Sequence, residues 1–154
     1  MKNISNELNE FFVECFNDIL REEERAISKI SRGKISVKEV HLIEAIFKAQ
    51  KQGDITLGNI SKILGVSQGT LTVAVTSLEK RGYVKRIQNP NDRRSYALYC
   101  TKLGERINAL HMRFHKEMIA DAVEHLNVTQ TEILSNSLQK LHIFFKSREI
   151  KEKK

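Results

Sequence analysis

Three groups of side chains in this 154-residue sequence have types and spacings that could do chemistry. His111 and His115 stand four residues apart, so on a helix their imidazoles project from one face and can share a metal ion. His41 belongs to a segment expected to approach them, and Glu23 or Glu24 places a carboxylate near the end of the first predicted helix. Histidine and glutamate can also satisfy each other by hydrogen bonding, so a buried polar network linking helix ends accounts for the same residues. The second group is Asp92-Arg93-Arg94, where Asp92 can orient the Arg94 guanidinium through a charge-assisted pair, a geometry suited to the minor groove of DNA. The third is Ser67, Gln68, Gly69, Thr70 and Thr72, short polar side chains around a glycine that would let a backbone approach bases or phosphates closely.

The elements that must position these groups follow from local sequence. Ile60, Ile63 and Leu64 make one apolar helical face, which Gly65 ends where a left-handed residue is needed. Ser67 caps the next helix, whose Leu71, Val75 and Leu78 turn inward, and Gly82 stops it. Tyr83 to Ile87 reads as a strand and Asn89-Pro90-Asn91-Asp92 as a turn. Tyr96, Leu98 and Cys100 alternate on the returning strand. Helix, turn, helix and basic β-ribbon together predict a winged helix-turn-helix, in which the second helix enters the major groove. Lys38, Lys62, Lys85, Arg86 and Arg93 surround that module as candidate phosphate contacts.

Outside the module the chain reads as helix. The first runs from about Ile4 to Ile30 with an apolar stripe through Leu8, Phe11, Phe12, Cys15, Phe16 and Ile19. A capping box at Ser36-Val37-Lys38-Glu39 opens the second, which ends near Gly53. Thr101 caps a long helix ending near Asn127, and Thr129-Gln130-Thr131-Glu132 reads as a further capping box opening the last. The fold class is therefore mainly α with a small β-wing. Residues 1–32 form an N-terminal dimerisation helix, 33–101 the winged helix-turn-helix and 102–154 the C-terminal dimerisation helices, within one compact domain per subunit. A module of this size does not need two long apolar helices to fold. They are expected to pair with a second copy, giving a two-fold homodimer matched to a pseudo-palindromic duplex site.

Composition narrows the function classes. A net charge of +7 suits a polyanionic partner, and no apolar run approaches the ~20 residues that span a membrane. The start of the chain has no signal-peptide h-region, and two cysteines at unrelated positions suit reduced thiols, so the expected location is the cytoplasm. Cys15 between Phe12 and Phe16, and Cys100 on the wing strand, read as packed, inert thiols. Nucleophile elbow, Gly-rich phosphate loop and H-E-x-x-H are all absent, and Glu22-Glu23-Glu24 between Arg21 and Arg25 reads as a solvated helix face. An enzyme is not expected, and no cofactor is required.

The order of elements, with Leu78-Glu79-Lys80-Arg81-Gly82-Tyr83-Val84, Asp92-Arg93-Arg94 and then Thr101 and Gly104, resembles the MarR family of dimeric bacterial transcription regulators over nearly the whole chain. Cys100 stands where that pattern usually has Leu, and Ser61 where it has Ala. Residues 35–41, 69–72 and 110–116 are similar to the branch that represses fatty-acid biosynthesis genes in low-GC Gram-positive bacteria. That resemblance implies long-chain acyl-acyl carrier protein as corepressor. Phe12, Phe16, Ile43, Phe47, Leu110, Phe114 and Met118 would then line an apolar slot for the acyl chain. Zinc-responsive members of the family use one Glu and three His, and Glu24, His41, His111 and His115 fall close to those positions. A metal- or small-ligand-responsive regulator is therefore the alternative, and an interaction module without DNA binding a further one.

Overall fold

The computed structural model describes residues 2–89 and 92–152, with side chains from 6 to 88 and from 96 to 148. Six helices and one two-stranded sheet follow in order: α1 (Lys2–Ser31), α2 (Val37–Gln52), α3 (Leu57–Leu64), α4 (Gln68–Lys80), β1 (Val84–Asn89), β2 (Asp92–Cys100), α5 (Lys102–Val123) and α6 (Val128–Glu152). The mainly helical class with a small wing is as the sequence predicts. The predicted turn residues Pro90 and Asn91 lie outside the described residues.

Capping residues set most of these boundaries. Ser36 accepts a hydrogen bond from the Glu39 N–H, and the Glu39 carboxylate accepts one from the Ser36 N–H, so the predicted box opens α2. Gly53 closes it in the left-handed conformation, and Gly65 closes α3 with φ +66°, a region costly for a residue with Cβ. The Ser67 hydroxyl caps α4 by accepting from Thr70. Thr101 opens α5 as expected, its hydroxyl accepting from Gly104. One box is displaced. The reciprocal pair at the start of α6 is Asn127 with Gln130, not Thr129 with Glu132, because a helix beginning at Val128 makes Asn127 its cap.

The chain divides into two compact units, Met1–Phe114 and His115–Lys154, with the division inside α5. The first unit has a continuous apolar core. Ile43 and Ile46 of α2, Ile60 of α3, Leu71, Val75 and Leu78 of α4, and Val84 and Leu98 of the wing are all at most 2% exposed. Each fully buried aliphatic side chain contributes ~1.5–3 kcal/mol of transfer free energy, so this core fixes α4 against the other elements. β1 and β2 pair antiparallel from Val84↔Cys100 to Gln88↔Tyr96. A single bridge, Thr56↔Ala97, ties the start of α3 to the same sheet. The N-terminal part of α1 leaves Leu8, Phe11, Phe16 and Leu20 exposed. In the second unit, α6 likewise exposes Ile133, Leu134, Leu138, Ile143, Phe144 and Phe145.

Candidate nucleic-acid interface

Two arginine struts brace helix α4, which the apolar core already fixes in place. Arg86 on β1 reaches back to α4, with its guanidinium 2.7 Å from Glu79 Oε2, 2.9 Å from Thr76 Oγ1 and 3.2 Å from the Thr72 carbonyl. Its backbone N–H donates to the other Glu79 oxygen at 3.1 Å. A planar five-donor fork suits donation to several acceptors at once, which a lysine could not reproduce. Arg86 was expected to meet phosphate; instead it is spent inside the protein, joining wing to helix. At the far end of α4, Arg81 binds Glu39, the Lys34 carbonyl at 2.7 Å and the Ser77 hydroxyl at 3.1 Å. One guanidinium thus ties the end of α4 to the start of α2.

Between these struts the outer face of α4 is open. Ser67, Gln68, Gly69, Thr70 and Thr72 are all exposed, while Leu71 is 1% exposed and faces the core. A cleft of about 720 Å³ between α4 and the wing is lined by Gln68, Thr72, Thr76, Arg86 and Tyr96 among others. Lys38, Lys62 and Lys85 are exposed around the module, Lys85 with its ammonium 5.8 Å from the Tyr99 ring centre. The side chains of Asp92, Arg93 and Arg94, expected to form the wing tip, lie outside the described residues. Their backbone begins β2. Three residues to which sequence reasoning gave no role here hold or line the outer face of α4: Glu79, Arg81 and Val73. Arg81 was hidden because Glu39 and Lys34 are distant in sequence, and Glu79 because its partner Arg86, seven residues on, stands on a different element. Val73 was legible, since it falls opposite Leu71, Val75 and Leu78 on the helical wheel.

A second cluster joins α1, α2 and α5. Glu23 Oε1 lies 2.7 Å from His41 Nε2 and 2.8 Å from His111 Nε2, and Glu44 Oε2 lies 3.4 Å from His111 Nδ1. Glu23 and His111 are 3% and 1% exposed. Burial opposes the charged form of Glu23, but hydrogen bonds and charge from His111 and His41 outweigh it and hold the carboxyl below its ordinary range. Burial likewise disfavours the His111 imidazolium, yet Glu44 and Glu23 together raise its pKa. The carboxylate in this cluster is Glu23 and not Glu24, which is exposed; one residue along a helix turns a side chain through about 100°. His115 follows His111 by one turn on α5, in the second compact unit. The ligand atoms of Glu23, His41 and His111 lie within 4.8 Å of one another. One carboxylate and two imidazoles, with Glu44 beside the outer His111 nitrogen, are a donor set that suits zinc.

The seven apolar residues expected to line an acyl slot do not share one environment. Ile43 has no exposed surface and belongs to the core, so it cannot line a slot open to a ligand. Phe47 packs against that core, with the Lys51 ammonium 4.7 Å from its ring centre. Phe12 stacks on Phe16 at 6.4 Å, and Phe16 is exposed. Leu110 and Phe114 are half-buried in the first unit, and Met118 half-buried in the second. Cys15 is exposed in the single chain, contrary to the packed thiol expected, because nothing in the first unit covers that part of α1. Cys100 is buried as expected. Burial, and then the charge of Glu105, push its thiol up to about 12, which keeps it protonated.

The model of the MarR family matches residues 42–96, which run from α2 to the wing. The crystal structure of Streptococcus pneumoniae FabT in complex with DNA is similar at a TM-score of 0.86 and 34% identity, covering 93% of this chain and 98% of that one. The multiple antibiotic resistance protein MarR of Salmonella typhimurium is 32% identical over 91 residues, 53% of this chain and 63% of that protein. The uncharacterized HTH-type transcriptional regulator YsmB of Bacillus subtilis is 29% identical over 89 residues, 58% of this chain and 61% of that protein. The chain thus spans less than two thirds of the length of these curated relatives.

Proposed function

Since this chain belongs to the MarR family of winged helix-turn-helix transcriptional regulators, we propose that it is a cytoplasmic homodimeric repressor of fatty-acid biosynthesis genes. Its relatives are transcriptional regulators and not enzymes. The observation that carries the finer reading is the likeness to FabT, crystallised with DNA, over 98% of that chain. The exposed face of α4 between the two arginine struts supports it, since a fixed helix with a polar N-terminal end is what major-groove entry requires. A pseudo-palindromic operator follows from a two-fold dimer.

Long-chain acyl-acyl carrier protein acts in this reading as corepressor, binding the DNA-competent dimer better than the other forms. The test is fluorescence anisotropy on the DNA upstream of its own gene, using chelator-treated protein with and without that carrier. Tightening by about tenfold, equal to ~1.4 kcal/mol of coupling, is expected. No change at any carrier concentration would reject the corepressor.

The geometry of Glu23, His41 and His111 favours a second reading, regulation by zinc, with His115 the further ligand that its i, i+4 spacing from His111 suggests. These residues would hold the ion, and Glu44 would orient the His111 ring. Zinc would then shift operator affinity in chelator-treated protein. Stoichiometric zinc retained after His111→Ala and His115→Ala together would reject the site.

A further inference from the structure

The most exposed side chain among the apolar residues of α4 is Val73, at 73%, while its neighbours Leu71 and Val75 are at 1% and 0%. At 3.6 residues per turn Val73 stands about 200° from Leu71, in the middle of the outward face. An apolar, β-branched residue there contributes nothing to the core, and its branching works slightly against the helix. The polar groups beside it are already committed. Thr72 donates its hydroxyl to the Gln68 carbonyl at 2.8 Å, and Thr76 donates to the Thr72 carbonyl at 2.8 Å while accepting from Arg86. The Ser77 hydroxyl accepts from Arg81. Gly69, one turn earlier, has no side chain, and a Cβ built there would meet only the Ser67 hydroxyl, at 3.9 Å. The centre of the face is thus an exposed apolar side chain, with its hydroxyl neighbours turned to the helix and to Arg86 and Arg81. Exposed Lys62, Lys80 and Lys85 give the surroundings a positive charge that suits phosphate on either side.

One base carries an apolar group into the major groove, and that group is the C5-methyl of thymine. We infer that Val73 is a specificity-determining residue that packs on a thymine methyl in each half-site of the operator. The inference rests on the DNA-binding reading above and adds to it a base and an atom. Gln68 and Thr70, nearer the start of the helix, remain the polar readers. Val73 selects thymine over cytosine, which lacks the methyl, at one position per half-site.

Uracil offers the test, because it pairs as thymine does and lacks only that methyl. A duplex operator is first selected by the full-length protein from random-sequence DNA. Each thymine of the selected duplex is then replaced by uracil in both half-sites, and affinity is measured at fixed salt for the wild type, Val73→Ala and Val73→Ile. For the wild type, uracil at one symmetric pair of positions should weaken binding by about fourfold per half-site, or about sixteenfold for both, from the ~0.8 kcal/mol worth of one buried methyl-sized group. Val73→Ala should lose affinity for the thymine duplex and become indifferent to uracil at that pair. Val73→Ile should keep the sensitivity, and no variant should change the slope of affinity against salt, since no phosphate contact is touched. A uracil response in Val73→Ala equal to that of the wild type at every position would overturn the inference and leave the DNA-binding reading standing. Failure of the selection to enrich any sequence would overturn both.

Discussion

Arg94 is proposed to enter the minor groove from the wing, and Arg94→Ala should weaken operator binding by ~1–3 kcal/mol. An unchanged dissociation constant at fixed salt would remove that role. Glu39 works inside the protein, closing the capping box of α2 and receiving Arg81 from α4. Burial alone would raise its pKa, but the Ser36 N–H, the Arg81 guanidinium and the Ser36 hydroxyl outweigh it and lower the carboxyl. A folded-state value below the unfolded one stabilises the fold at pH above the ordinary glutamate range. That contribution is lost as pH falls through the lowered value. Glu39→Gln keeps an acceptor for the Ser36 N–H but loses the ion pair with Arg81, so it should cost ~0.2–1 kcal/mol near neutrality, with the gap to wild type closing in acid. Thermal unfolding of both proteins across pH 3–7 (roughly the carboxylate titration range) measures this. A gap that stayed constant would mean that the charge of Glu39 contributes nothing.

At the scale of elements, α4 is useful only if it holds one angle to the wing, and Arg86 is the strut that braces it. Exposed Lys62 and half-buried Arg86 make opposite predictions. Lys62→Ala should reduce the slope of log affinity against log salt by about 1, the signature of one phosphate contact released. Arg86→Ala should weaken binding with the slope unchanged, because its guanidinium is already bound to Glu79, Thr76 and the Thr72 carbonyl. Salt titrations of the two variants separate the roles, and a reduced slope for Arg86→Ala would return that residue to the phosphate. The helix boundaries themselves were readable, because Ser36, Ser67, Thr101, Gly53 and Gly65 act within one turn of their own positions. The start of α6 was misread by two residues, since Asn127 and Thr129 both precede a residue able to complete a box.

For the whole molecule, the exposed faces of α1 and α6 decide the assembly. Leu8, Phe11 and Phe16 in one unit, and Leu138, Phe144 and Phe145 in the other, are large apolar side chains at least half exposed. A second copy is the proposed cover, and sedimentation equilibrium should give twice the chain mass of 17.8 kDa. Leu138→Lys should shift that equilibrium towards monomer and lower operator affinity with it, because a single recognition helix loses the second half-site. A monomeric wild type that still bound a pseudo-palindromic duplex with high affinity would remove the dimer from the mechanism. Among the described residues no helix is long and apolar enough to cross a membrane.

Helix and wing were legible from periodicity and from capping residues, because both act over distances of a few residues and need no partner from elsewhere in the chain. Leu71, Val75 and Leu78 declared the inner face of α4 in the same way, and with it the outward position of Val73. What the linear order could not decide were the pairings between different elements, whether neighbouring in the chain or far apart in it. Arg86 looked like a phosphate contact until Glu79 and the Thr72 carbonyl were seen to claim it, and Arg81 had no evident role until Glu39 and Lys34 met it. Glu23 and Glu24 are chemically identical in sequence. Only the packing of α1 beside α2 and α5 turns the first into the buried acceptor of two histidines, and leaves the second in solvent.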